Sequence, residues 1–163
     1  MGNKLGIDLG GTKIEAIVIN DAFQVIERKR TPTNREEGYD AILQSIVNLS
    51  KELIEIGNVE GPIGICTPGA IDYKTGTLKN SNTVCLIDKP LQSDLESALS
   101  FPILMENDAN CFALAEAILG AAKDYRLVFG VVLGTGCGGG IVINKNIHRG
   151  PNHISGEWGH HVL

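Results

Sequence analysis

A chain of 163 residues with 19 acidic and 14 basic side chains, a formal net charge of −5 and 43% apolar residues can bury a globular core. The absence of a Lys/Arg cluster argues against nucleic acid as the main partner, and no apolar run approaches the ~20 residues of a membrane span. Met1-Gly2-Asn3-Lys4 runs into a strand with no signal-peptide core, and Cys66, Cys85, Cys111 and Cys137 form no Cys-x-x-Cys pair, so a cytoplasmic protein with reduced thiols is expected.

The first predicted element is a strand, a tight glycine turn and a second strand. Gly6, Leu9, Gly10 and Ile17-Val18-Ile19-Asn20 frame the turn Gly10-Gly11-Thr12-Lys13. Each recurs 124 residues later, as Gly130, Leu133, Gly134 and Ile141-Val142-Ile143-Asn144 around Gly134-Thr135-Gly136-Cys137-Gly138-Gly139-Gly140. A P-loop or dinucleotide fingerprint would put a helix after its glycines, whereas Ile14-Glu15-Ala16-Ile17-Val18-Ile19 is short and β-branched. Turns of this kind aim backbone N–H groups at an anion, and glycine lets a phosphate approach closely. Either unit alone could be an ordinary hairpin; two in matched order can grip one polyphosphate from two sides.

Apolar positions 39, 42, 46, 49, 53 and 56 predict an amphipathic helix over 39–56 that Gly57 stops. A buried strand over 62–67 ends at Pro68-Gly69, Leu91, Leu95 and Ala98 mark a short second helix, and a strand over 103–105 delivers Glu106-Asn107-Asp108 to its C-terminal end. Asp108 is the expected N-cap of a buried helix over 109–119 that Gly120 closes. A strand over 127–133 then opens the second hairpin, so a mixed sheet with helices on its faces is expected.

Ligands of open α/β sheets gather beyond the strands' C-terminal ends, which selects Asp8 and Asp108. Asp8 suits Mg²⁺, directly or through water, or is a plain turn aspartate; Lys13 could neutralise phosphate or be a solvated lysine. Asp108 can take a proton from an attacking hydroxyl, and Asn107 and Asn110 can hydrogen-bond a polyol. His153, Glu157, His160 and His161 lack metalloprotease spacing and read as a polar rim or solvated loop, with Trp158 packing among them or lining a sugar site.

Gly6-Ile7-Asp8-Leu9-Gly10-Gly11-Thr12-Lys13, Glu106-Asn107-Asp108-Ala109-Asn110, Leu133-Gly134-Thr135-Gly136-Cys137-Gly138-Gly139-Gly140 and Gly156-Glu157-Trp158-Gly159-His160 resemble, in that order, the ROK family of bacterial sugar kinases and sugar-responsive repressors. The resemblance implies an α/β actin-like ATPase, ribonuclease H-like fold, with an N-terminal domain over 1–120 and the start of a second over 121–163. It also implies transfer of the γ-phosphate of Mg-ATP to a hexose hydroxyl.

By the same resemblance Asp108 matches the catalytic base, and Asn82, Asn107, Glu157 and His160 match sugar ligands. Gly10, Gly11, Thr12 and Gly134, Thr135, Gly136 match the two phosphate loops. His160 matches a ligand of a structural zinc whose three cysteines would lie beyond Leu163, so zinc is expected only in a longer protein, as are homodimers. Residues 79–83 and 156–160 look closest to fructokinase and manno-fructokinase-like members, with N-acetylglucosamine kinases second. A non-catalytic sugar sensor or transcriptional regulator is the rival reading, and the 163-residue chain alone is expected to be inactive because its second domain is incomplete.

Overall fold

In a computed structural model of the chain, residues 2–72, 74–134, 137–151 and 153–159 are described. They fall into two compact units, Met1–Glu106 and Asn107–Leu163.

The first unit is built on β1 (Lys4–Leu9), β2 (Lys13–Ile19), β3 (Val25–Pro32), α1 (Tyr39–Gly57), β4 (Ile63–Thr67), the small hairpin β5 (Ala70–Asp72) and β6 (Thr77–Lys79), α2 (Leu91–Leu99) and β7 (Ile103–Asn107). Its five-stranded sheet has the order β3-β2-β1-β4-β7, antiparallel between β1 and β2 and parallel between β1 and β4. Strand alternation sets the core: Leu5, Ile7 and Leu9 of β1 and Ile14, Ala16 and Val18 of β2 are buried, with Asp8 on the opposite, exposed side. Ile42, Ile46, Leu49 and Leu53 of α1 join that core. Burying such a side chain is worth about 1.5–3 kcal/mol.

α1 runs one residue past its expected stop. Gly57 is its last helical residue, and Asn58 takes the left-handed C-terminal conformation at φ 47°. Gly57 serves packing instead, since a Cβ there would lie 2.8 Å from Cγ1 of Val18.

The second unit holds α3 (Asp108–Ile118), β8 (Leu127–Leu133), β9 (Cys137–Ile143) and β10 (Asn146–Ile147), with the sheet order β10-β9-β8. α3 packs on β8 and β9. Ala113, Ala117, Val128 and Val142 form the small core between them. Packing thus divides the chain ahead of α3, whereas the sequence places a domain division after it.

Both strand-turn-strand units are present, but they close differently. Leu9 pairs with Ile14, while Leu133 pairs with Cys137, so the second turn is one residue tighter. The architecture is the α/β, mixed-sheet fold of actin-like ATPases.

Candidate functional site

In the first unit the β1–β2 turn is held in shape by its own chain and by Thr33. The Gly10 amide donates to the carbonyl of Lys13 at 3.0 Å, and a Cβ on Gly10 would stand 2.9 Å from that same oxygen. Thr33, fully buried, donates its hydroxyl to the Gly10 carbonyl at 2.7 Å and its amide to the Thr12 carbonyl at 3.1 Å. The turn is therefore a rigid part of the scaffold rather than a loose loop. Thr12 and Lys13 are exposed on it.

Asp8 precedes the turn and is exposed. Its antiparallel neighbour is Glu15, whose charge is taken up by Arg30 at 2.6 Å and Arg28 at 3.5 Å. Its parallel neighbour is Cys66, whose thiol donates to Asp8 Oδ1 at 3.4 Å. An exposed carboxylate with room for water beside a phosphate-type turn fits Mg²⁺, which takes one or two protein carboxylates and fills its remaining positions with water and phosphate oxygens. No cluster of three His, Cys, Asp or Glu able to hold a metal occurs among the described residues.

Asn82 reaches the same neighbourhood by way of Thr83. Gly69, at φ 94°, turns the chain after β4 so tightly that a Cβ would lie 2.5 Å from the Lys79 carbonyl. Ser81 Oγ accepts the Thr83 amide at 3.1 Å, and both residues are buried while Asn82 between them is exposed. The Thr83 hydroxyl lies 3.9 Å from where a Cβ on Gly11 would be, as does Nη1 of Arg35.

β7 runs two residues further than its apolar core predicts, through Asn107. The helix cap is accordingly Asn107 and not Asp108. Asn107 has extended backbone, and its side chain accepts the Asn110 amide at 3.1 Å. Asp108 is the first helical residue, exposed, with Oδ1 accepting the Ala109 amide at 2.8 Å. The change of cap follows from geometry: the Ncap must keep extended dihedrals, and the longer strand carries those to Asn107.

The glycines of the second hairpin divide into two roles. A Cβ on Gly140 would lie 2.7 Å from the Ala109 carbonyl and 2.8 Å from Asn110 Cα, and one on Gly130 would lie 2.7 Å from Ala113 Cβ. These two glycines face each other across the ladder and let α3 settle on the sheet. Gly139 is likewise filled by the chain, with Gly156, Phe129 and Trp158 against it. Gly134 alone of this set opens onto space among the described residues. The phosphate-loop expectation therefore narrows to Gly134, with Thr135 and Gly136 outside the described residues.

The 156–159 segment lies along the start of β9. Gly156, at φ 93°, abuts Gly139 and Gly140, and Trp158 donates its indole N–H to the Gly138 carbonyl at 3.0 Å. Glu157 is half-buried, and Gly140 has the first turn of α3 on one side and Gly156 on another. His160 falls outside the described residues.

Thr33, Arg35, Cys66 and Thr83 were not legible as site residues. Each acts through a contact far along the chain, and none carries a spacing signal.

The sequence pattern of the ROK family matches residues 4–163. Among curated proteins, the chain is 43% identical to an N-acetyl-D-glucosamine kinase of Yersinia pestis over 97% of this chain and 61% of that protein. It is 42% identical to the N-acetyl-D-glucosamine kinase of Citrobacter koseri over 95% of this chain and 51% of that one. Among solved structures, the ROK hexokinase of Thermus thermophilus superposes with a TM-score of 0.86 at 35% identity, over 99% of this chain and 53% of the other. A ROK family glucokinase from Streptomyces griseus, in complex with glucose and AMPPNP, gives 0.88 at 31% identity over 99% and 51%. The chain thus spans little more than half the length of these relatives. With the ordered motifs, the hairpin pair and the matched pattern all in one chain, the protein belongs to the ROK family.

Proposed function

We propose that the protein phosphorylates a hydroxyl of an N-acetylated hexosamine, N-acetyl-D-glucosamine before others, with Mg-ATP as donor. The observation that carries the choice of sugar is the identity of 43% to N-acetyl-D-glucosamine kinases over nearly the whole chain. It outweighs the leaning toward fructokinase and manno-fructokinase drawn from residues 79–83 and 156–160, because the curated relatives at 42–43% identity are named N-acetyl-D-glucosamine kinase.

In this reading Asp108 accepts the proton of the attacking hydroxyl, which typically contributes ~10²- to 10⁴-fold in rate. Its exposed place at the start of α3, with the Asn110 amide capped by Asn107, supports that role. Asn82, Asn107, Glu157 and His160 are the sugar ligands; Gly10, Gly11, Thr12, Lys13 and Gly134, Thr135, Gly136 attend the phosphates. Mg²⁺ would be held by phosphate oxygens and water beside Asp8, and it supplies charge neutralisation for the transferred group. By the same reading, a structural zinc at His160 and a homodimer would be features of a longer protein. The work is expected in the cytoplasm, where ATP is available.

The test is ADP release by the complete gene product with fructose, mannose, glucose, N-acetylglucosamine and N-acetylmannosamine in turn. The highest kcat/KM is expected with N-acetylglucosamine. Binding of a hexose without ADP release from any of the five would favour the sensor instead.

A further inference from the structure

Gly11 has an open side bordered by two side-chain donors. A Cβ placed on it would be 3.9 Å from Nη1 of Arg35 and 3.9 Å from the hydroxyl of Thr83. No hydrogen bond from the Gly11 or Thr12 amide is present among the described residues. A bare backbone position bordered by a guanidinium, a hydroxyl and two amides offers what phosphoryl oxygens accept.

Arg35 is anchored there at the backbone. Its carbonyl receives the Gly38 amide at 3.2 Å and the Cys85 thiol at 3.8 Å, and Thr33, two residues earlier, is bonded to the turn itself. Glu36 takes the Nε side of the guanidinium at 3.0 Å, whereas Nη1 is the atom nearest Gly11. Thr83 is 3% exposed and directly follows Asn82. The cationic group therefore stands where the turn meets the proposed sugar ligand.

We propose that Arg35, assisted by the Thr83 hydroxyl, binds the terminal phosphoryl group of ATP as it passes to the sugar. This rests on the kinase reading above. In the transfer the bond from phosphorus to the ADP oxygen breaks and one to the sugar oxygen forms, the hydroxyl proton goes to Asp108, and the guanidinium keeps its protons throughout. Arginine suits the task because its planar fork pairs with two oxygens at once, which lysine cannot do. An Arg35 that merely pairs with Glu36 on the surface would add little to stability and nothing to kinetics.

The test compares Arg35→Ala and Arg35→Lys with the parent in the complete gene product. Arg35→Ala should lower kcat/KM for Mg-ATP by ~30-fold or more while the KM for the hexose stays within about threefold, and Arg35→Lys should recover part of the loss. In direct titrations without sugar, affinity for AMPPNP should fall by ~10-fold and that for AMP by less than about twofold. Unchanged kinetics, or a rise confined to the hexose KM, overturns the assignment. If the parent releases no ADP with any hexose, the kinase reading fails separately, and the AMPPNP and AMP titrations still decide whether Arg35 binds the terminal phosphate.

Discussion

The side chain of Asn107 accepts the backbone amide of Asn110 at 3.1 Å, closing the first turn of α3 and leaving Asp108 as the first helical residue. The helix start and the candidate base are thus separable by mutation. Asn107→Ala should destabilise the protein by ~1 kcal/mol, the usual worth of a cap, and lower the melting temperature by about 2–4 °C. Thermal denaturation of Asn107→Ala beside Asp108→Asn checks this; a larger loss from the second substitution would return the cap to Asp108.

Gly134 has nothing within 4 Å of an added Cβ among the described residues, unlike Gly140, where a Cβ meets the backbone of α3 at 2.7 Å. Gly134→Val should therefore leave the circular dichroism unchanged, while raising the apparent KM for ATP much more than that for the sugar. Gly140→Val should fail at folding instead. Equal ATP dependence in parent and Gly134→Val would reduce the second turn to a hairpin.

Tyr39 of α1 donates its hydroxyl to Asp94 of α2 at 2.5 Å. Burial first, and then that hydrogen bond, push its phenol well above the ordinary 10.0. The folded state keeps the proton longer than the unfolded chain does, so this stabilisation is whole below about pH 10 and is lost as pH rises from there toward the folded-state value. Urea titrations between neutral pH and pH 11 should show stability falling at the alkaline end, with a shallower fall in Tyr39→Phe. Identical slopes would remove Tyr39 from the account.

β8 is the end strand of its sheet among the described residues, and Leu127, Phe129, Val131 and Leu133 on it are all exposed. The heptapeptide Leu127-Val128-Phe129-Gly130-Val131-Val132-Leu133 carries no charge and reads nearly alike in both directions. Antiparallel pairing of two copies about Gly130 would set leucine opposite leucine, as a two-fold contact requires. Light scattering of the 163-residue chain should show self-association that Phe129→Lys weakens; a strictly monomeric parent would contradict it.

The fold was legible where periodicity was strong and illegible where it was absent. The spacing of Ile42, Ile46, Leu49 and Leu53 marked α1 to within one residue of its end. β3, written Val-Ile-Glu-Arg-Lys-Arg-Thr-Pro, is an edge strand whose side chains are exposed or half-buried throughout, so it carries no alternation to read. The three-residue strands β5 and β6 are too short for any period. Asn107 and Asp108 are both good caps, and only the full length of β7 chooses between them. The glycines at 138–140 suggested one loop because sequence cannot distinguish a glycine that admits a ligand from one that admits a helix; the backbone of α3 against Gly140 does.

The most direct measurement is ADP release by the complete gene product with N-acetylglucosamine, parent against Asp108→Asn. Because Asn107 keeps the helix cap, the amide should lower kcat by ~10² or more and leave sugar affinity within about tenfold. Near-normal kcat in Asp108→Asn, or no ADP release by the parent with any hexose, would contradict the account.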